Sequence, residues 1–155
     1  MKKEVIVSYD YLEDINSLSK RDQLLLKLAR EKVQFAYAPY SKFSVAACAL
    51  LDNDEIVYGV NCENASYSVS ICAERSLLSS ICNNKNKIVS MAISYKGEKY
   101  PNDIPISPCG VCRQALYEYE TNSHKCKINY ILSGQSGSVL VIDGINNLLP
   151  LAFNL

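Results

Sequence analysis

Apolar residues recur along this chain in two rhythms, and each change of rhythm marks an element. Leu24, Leu25, Leu28, Ala29 and Phe35 recur at helical spacing, which predicts a helix over residues 24–37. Ser19 is placed to cap it, with Asp22 three residues on as a weak reciprocal partner, and Pro39 is expected to end it. Residues 45–51 are almost continuously apolar and too short for a buried helix. The turn-rich Asp52-Asn53-Asp54 separates them from residues 56–60, so the two runs read as a hairpin of central strands. Residues 61–71 show no period and read as a loop. Residues 72–82 predict a second helix with Ala73, Leu77, Leu78 and Ile81 inward. Residues 88–95 read as a strand, 96–108 (with three prolines) as a loop, and 111–119 as a third helix. Residues 128–132 and 139–142 read as strands around a Gly-Gln-Ser-Gly turn, and 146–155 as a short helical or irregular tail. The first 20 or so residues, with a brief alternation at Val5 and Val7, read as an extended leader. Helices interleaved with strands predict a single α/β domain over residues 1–155, built on one sheet flanked by helices.

Composition narrows the partners more than the fold. Lys+Arg and Asp+Glu both number 16, so the formal net charge is zero. That balance offers no electrostatic footprint for nucleic acid or an anionic membrane. Nor does any stretch approach the roughly 18 continuous apolar residues of a membrane span. Residues 1–10 carry two lysines but no long apolar run, so no signal peptide is expected. Seven cysteines is a high and odd count, unlike an evenly paired secreted framework. The plain reading of Cys48, Cys62, Cys82 and Cys126 is small, reduced, mostly buried side chains, which suits a cytoplasmic protein.

The other three cysteines carry the chemistry. Cys72-Ala73-Glu74 and Pro108-Cys109-Gly110-Val111-Cys112 each open a predicted helix. A helix N-terminus carries unsatisfied N–H groups and a partial positive charge, which favours thiolate over thiol. The Cys-x-x-Cys spacing lets two sulfurs on one turn reach one ion, and Cys72 supplies a third from another helix. Three protein ligands leave a fourth tetrahedral position for water, as in a catalytic zinc site. Glu74 lies two residues beyond Cys72, placed to take a proton from that water and return it to a ring nitrogen and a leaving amine. Zn2+ with three thiolates is formally an anion, which weakens it as a Lewis acid. Arg75 is a candidate counter-charge in the metal's second shell, able to donate hydrogen bonds to the sulfurs. Two other readings stand beside this one: a thioredoxin-like redox pair at Cys109 and Cys112, and a closed structural zinc site completed by Cys62 or another thiol. The single histidine, His124, sits in a polar stretch and reads as a surface residue.

Cys72-Ala73-Glu74-Arg75 and Pro108-Cys109-Gly110-Val111-Cys112-Arg113-Gln114 resemble the zinc motifs of the cytidine deaminases, the small homotetrameric type. The likeness extends further. The stretch from Tyr37 through Ala38-Pro39-Tyr40-Ser41-Lys42-Phe43-Ser44 to Val45 is similar to the entry into that family's first core strand. Asn61-Cys62-Glu63-Asn64-Ala65-Ser66-Tyr67 is similar to its nucleoside-binding loop, and Leu148-Leu149-Pro150-Leu151-Ala152-Phe153 to its C-terminal segment. The resemblance implies a three-layer α-β-α sandwich with a mixed, roughly five-stranded sheet. It also implies a zinc cofactor, a homotetramer, and hydrolysis of cytidine and 2'-deoxycytidine in pyrimidine salvage.

By the same resemblance Asn61 and Glu63 bind the ribose 3'-hydroxyl, within a substrate-binding loop that includes Ala65 and Tyr67. Phe43 packs near base and sugar, the Ala73 N–H binds the base carbonyl, and Phe153 reaches into a neighbouring subunit's site. The plain alternative for both phenylalanines is core packing. Ala46 stands where the family usually has glycine, and Ser68 where many members have proline. Blasticidin deaminases share the zinc motifs and tRNA-acting deaminases the general scheme. The third rival is a non-enzymatic zinc or thiol module.

Overall fold

The computed structural model describes residues 1–154. Ser19 caps the first helix: its Oγ accepts from the Asp22 N–H at 3.2 Å and donates to the Asp22 carboxylate at 2.8 Å. The helix, α1 (Lys20–Lys32), therefore starts earlier than its apolar pattern indicated. It also ends earlier, well short of Pro39, where the chain tightens into a 3-10 turn at Val33–Phe35. That turn delivers Tyr37 to the loop opposite. Tyr37 donates to the Asn61 carbonyl at 3.0 Å and accepts from the Glu63 N–H at 2.8 Å.

Six strands form one sheet in the order β1 (Asp10–Leu12), β6 (Val139–Asp143), β5 (Asn129–Ser133), β4 (Ile88–Gly97), β2 (Phe43–Leu51), β3 (Ile56–Val60). All neighbours are antiparallel except β4 and β5. A parallel pair needs a crossover, and α3 (Gly110–Glu118) supplies it. The remaining helix is α2 (Ala73–Ser80). The sixth strand is the correction to the expected five. It comes from the leader, where Asp10, Tyr11 and Leu12 pair with Val141, Leu140 and Val139. β3 is an edge strand and not a central one, with Ile56 and Tyr58 exposed.

The apolar run of β2 is continuous because both its faces are covered. Ala47, Ala49 and Leu51 pack with Leu77 of α2 and Leu116 of α3. Cys48 and Leu50, pointing the other way, pack with Leu25, Leu26 and Ala29 of α1. The same division splits Met91 and Ile93 from Ala92, and Tyr130 and Leu132 from Ile131. The result is the expected three-layer sandwich, with α1 on one face and α2 with α3 on the other. Beyond α3, Glu120 is a buried carboxylate that accepts from the Tyr130 hydroxyl at 2.6 Å and the Ile145 N–H at 3.1 Å. Burial still pushes its pKa up.

β3 and β4 both run antiparallel to β2, so they point the same way. α2 and α3 follow their carboxyl ends, which is where α/β sheets place ligands. β2 starts at that same end, with Phe43. α2 is held tightly there by Gly59. A Cβ on Gly59 would lie 2.9 Å from Leu77 Cα and closer still to the Ala73 carbonyl oxygen and the Leu77 nitrogen. Gly59→Ala is therefore expected to cost about 2–3 kcal/mol of unfolding free energy, because backbone cannot yield as a side-chain tip can. Urea denaturation checks this, and an unchanged midpoint would contradict so close a contact.

Two sequence expectations fail, the first through long-range contact. His124 is not a free surface residue. Its ring stacks on Tyr119 at 4.0 Å, and its Nε2 lies 3.1 Å from the Asn84 carbonyl. Cys48 is fully buried as expected, and Cys126 is half-buried, but Cys62 and Cys82 are exposed. All seven cysteines are free thiols. No helix among the described residues is long and apolar enough to cross a membrane.

Candidate active site

Cys72 and Cys109 are the N-cap residues of α2 and α3, and neither helix start has a side-chain cap of the ordinary kind. Ordinary caps accept from the free N–H groups of the first turn. Sulfur in that position leaves the positive helix ends facing the thiols. Cys112 lies one turn into α3. The three sulfurs meet, with Cys72 Sγ 3.8 Å from Cys109 Sγ and Cys109 Sγ 3.6 Å from Cys112 Sγ. Ligands about 2.3 Å from a tetrahedral ion lie about 3.8 Å apart, which these two separations match, and all three sulfurs lie within 4.8 Å of one another. Among the described residues no fourth cysteine, histidine or carboxylate joins the group. That weighs against a closed structural site completed by Cys62.

The trio is also chemically ready for a cation. The Cys72 thiol is pushed down to about 6, chiefly by the hydrogen bond it accepts from Cys112 and against its burial. The same bond, with burial, pushes the Cys112 thiol up. One thiolate is thus stabilised at the expense of its neighbour, and a divalent ion relieves that competition by taking the place of the shared protons.

Glu74, the second residue of α2, is 5% exposed, and burial pushes its carboxyl above the usual carboxylate range. It lines the same cavity as the three sulfurs, about 640 Å³ in volume. Phe43, Asn61, Glu63, Tyr67 and Ala73 line it too. Phe43 is half-buried at the cavity wall and not in the core. It stacks on Tyr95 at 4.9 Å and meets the edge of Tyr100 at 5.2 Å. Asn61 is fixed by β2, accepting from the Val45 N–H at 2.7 Å and donating to the Phe43 carbonyl at 2.9 Å. One amide proton and one lone pair remain for a ligand. Burial opposes the charge on Glu63, but hydrogen bonds from the Ser41 hydroxyl and the Tyr40 and Ser41 N–H groups hold its carboxyl below the usual range.

Three expected site residues lie outside this cavity, one of which, Phe153, is expected to reach a neighbouring subunit's site and not its own. Ala65 is exposed and stands outside the cavity wall. Phe153 is 70% exposed and neither packs in the core nor enters this cavity; it lines a separate depression with Arg75, Gln114 and Glu118. Its tail is tied there by Gln114, which donates to the Phe153 carbonyl at 3.1 Å. Arg75 makes no hydrogen bond to the sulfurs; its charge is the smallest of the influences on Cys72.

Sequence reasoning missed the wall formed by Tyr95, Tyr100, Pro101, Ile104 and Ile106. That wall depends on Asn102, which donates to the Gly97 carbonyl at 3.1 Å and accepts from the Gly97 N–H at 2.8 Å. Gly134 and Gly137 press against residues 102 and 103, leaving no room for a Cβ. Arg113 likewise pins the start of α3, donating to the Pro108 carbonyl at 2.8 Å and the Leu148 carbonyl at 2.6 Å.

The profile of the cytidine and deoxycytidylate deaminase zinc-binding region matches residues 19–127, well over half of the chain. The chain belongs to this family. The matched region contains both cysteine motifs, Glu74 and the Asn61–Glu63 loop. Among relatives, cytidine deaminase of Mycoplasma pneumoniae is 44% identical over 94 residues, which cover 60% of this chain and 68% of that protein. Blasticidin-S deaminase of Bacillus cereus is 28% identical over 141 residues, 88% of this chain and 95% of that protein. The crystal structure of cytidine deaminase from Burkholderia pseudomallei superposes with a TM-score of 0.71 at 31% identity, over 88% of this chain and all of that one. A deaminase family member with a sulfur trio and a buried carboxylate lining one cavity is no thioredoxin-like redox module.

Proposed function

We propose that this chain hydrolyses the 4-amino group of cytidine and 2'-deoxycytidine, releasing ammonia and giving uridine and 2'-deoxyuridine. The observation that carries this reading is the cavity itself. Three sulfurs within 4.8 Å of one another, a buried carboxylate, and the amide of Asn61 with the carboxylate of Glu63 all line one space. Zn2+ held by Cys72, Cys109 and Cys112 supplies the Lewis acidity that makes water nucleophilic at neutral pH.

The rest is the work of the chain's own groups. Glu74 takes a proton from the attacking water, passes one to N3 of the base, and assists the departing amine. Its burial suits that task, because raising a carboxyl above its usual range makes it a better proton acceptor. The Ala73 N–H, at the free end of α2, donates to the base carbonyl. Phe43 supports the ring and sugar, and Asn61 with Glu63 receives the 3'-hydroxyl. Tyr67 closes the mouth, and Ala65 shapes the loop from outside. Arg75 offsets the excess negative charge of the sulfur trio through its field.

The family resemblance supports a homotetramer in which the exposed Phe153 completes a neighbour's site, and a place in pyrimidine salvage in the cytoplasm. The relationship to blasticidin-S deaminase makes the substrate the point to test. Zinc-loaded protein should lower the absorbance of cytidine and deoxycytidine, and leave cytosine, blasticidin S and a cytosine-containing oligonucleotide unchanged. Turnover of blasticidin S alone would move the assignment to the analogue-deaminating branch.

A further inference from the structure

Glu63 does not hold its place by packing, because it stands in an exposed loop. Its carboxylate is held by donors from one short turn. Oε2 accepts from the Tyr40 N–H at 2.9 Å and the Ser41 N–H at 3.2 Å, and Oε1 accepts from the Ser41 hydroxyl. Ser41 Oγ is itself oriented, because it accepts from the Phe43 N–H at 3.0 Å. That leaves its proton directed at Glu63. The turn is closed by Lys42, which has a left-handed φ of 55° and donates to the Ala38 carbonyl at 3.2 Å. Within it the successive N–H groups of Tyr40 and Ser41 both face one oxygen of Glu63. Three donors on a carboxylate that can accept about four hydrogen bonds leave room for one more. Ser41 and Glu63 both line the cavity.

We infer that Ser41 is a positioning residue for sugar recognition: its hydroxyl, fixed by the Phe43 N–H, locks the Glu63 carboxylate in the one orientation that presents its remaining acceptor site to the substrate's 3'-hydroxyl. This rests on the reading above in which Glu63 receives that hydroxyl. With alanine at this position, the two backbone donors on Oε2 remain but Oε1 is released, and the carboxylate swings about its last torsion. The site then keeps its charge and loses its aim. The same serine ties the sugar loop to Phe43, so the two substrate-facing walls are set by one hydroxyl.

The test is kcat/KM for cytidine and for 3'-deoxycytidine in the zinc-loaded wild type, Ser41→Ala and Ser41→Thr. The wild type should favour cytidine. In Ser41→Ala that preference should fall about tenfold, the scale of one charge-assisted hydrogen bond made less well. Most of the loss should appear in KM for cytidine, and Ser41→Thr, which keeps the hydroxyl, should restore most of the preference. A general loosening of the fold would slow both nucleosides alike and leave their ratio unchanged; a ratio in Ser41→Ala within twofold of wild type overturns the inference. If the wild type itself fails to distinguish the two nucleosides, the role of Glu63 falls, and that of Ser41 with it. That failure appears in the wild-type measurement, whereas failure of the inference alone appears only in the variant.

Discussion

Glu74→Gln should bind zinc as the wild type does and lose turnover by about 10²–10⁴-fold or more, the usual worth of a positioned general acid–base group. The substitution preserves shape and hydrogen-bonding reach while removing the ability to accept a proton. It also removes a carboxyl whose ionised form is disfavoured by burial, so the variant should fold at least as well as the wild type. The two measurements are zinc content and the rate of cytidine loss. A Glu74→Gln protein that turns over within tenfold of wild type would end the assignment of proton transfer to this residue. One that has lost its zinc would show that Glu74 helps to hold the ion, contrary to its absence from the sulfur group.

The second large effect is expected at the sulfurs. Cys112→Ala should reduce zinc from about one per chain to near zero and abolish activity, because two remaining sulfurs cannot hold an ion against solvent at neutral pH. The stability readout is independent of activity. An ion that binds only the folded state stabilises it by about 2.7 kcal/mol when present at 100 times its Kd. Added zinc should therefore raise the unfolding temperature of the stripped wild type and leave that of Cys112→Ala unmoved. Cys72→Ala and Cys109→Ala should behave alike, since all three sulfurs belong to one group within 4.8 Å. Arg75→Gln is the graded form of this test. Arg75 acts on the sulfurs through its charge alone, so its loss should weaken metal affinity or activity by about tenfold, the low end of the range for groups surrounding the ligands. Unaltered zinc retention together with unaltered turnover would remove Arg75 from the account.

What could be read from the sequence was whatever depends on neighbours along the chain. The covered faces of β2 were legible because seven successive residues from Val45 to Leu51 are apolar or small and a turn follows them, a run too short for a buried helix and fit for a doubly covered strand. Ser19 and Asp22 announced the start of α1, since capping is a three-residue affair. The sulfur trio was legible because two of its members share one turn and the third precedes Glu74 by two positions. What escaped were contacts made across the sheet or between loops. Nothing in Asp10-Tyr11-Leu12 announces a strand, and it becomes one only because β6 offers an edge. The edge position of β3 is a matter of strand order, to which its alternation is blind. His124 is half-buried through Tyr119 and through Asn84, forty residues away. The clamp on Glu63 joins residues 22 apart, so a serine in a turn carried no sign of it. The apolar wall from Tyr100 to Ile106 read as a plain loop because its order comes from Asn102 and two distant glycines.

The most direct test is a zinc titration of the metal-stripped chain with cytidine present, following ammonia and uridine together. The account requires both products in equal amounts, with the rate rising until one ion per chain is bound and then levelling. Full activity in the stripped protein, or a protein that takes up one zinc and leaves cytidine intact, would contradict it.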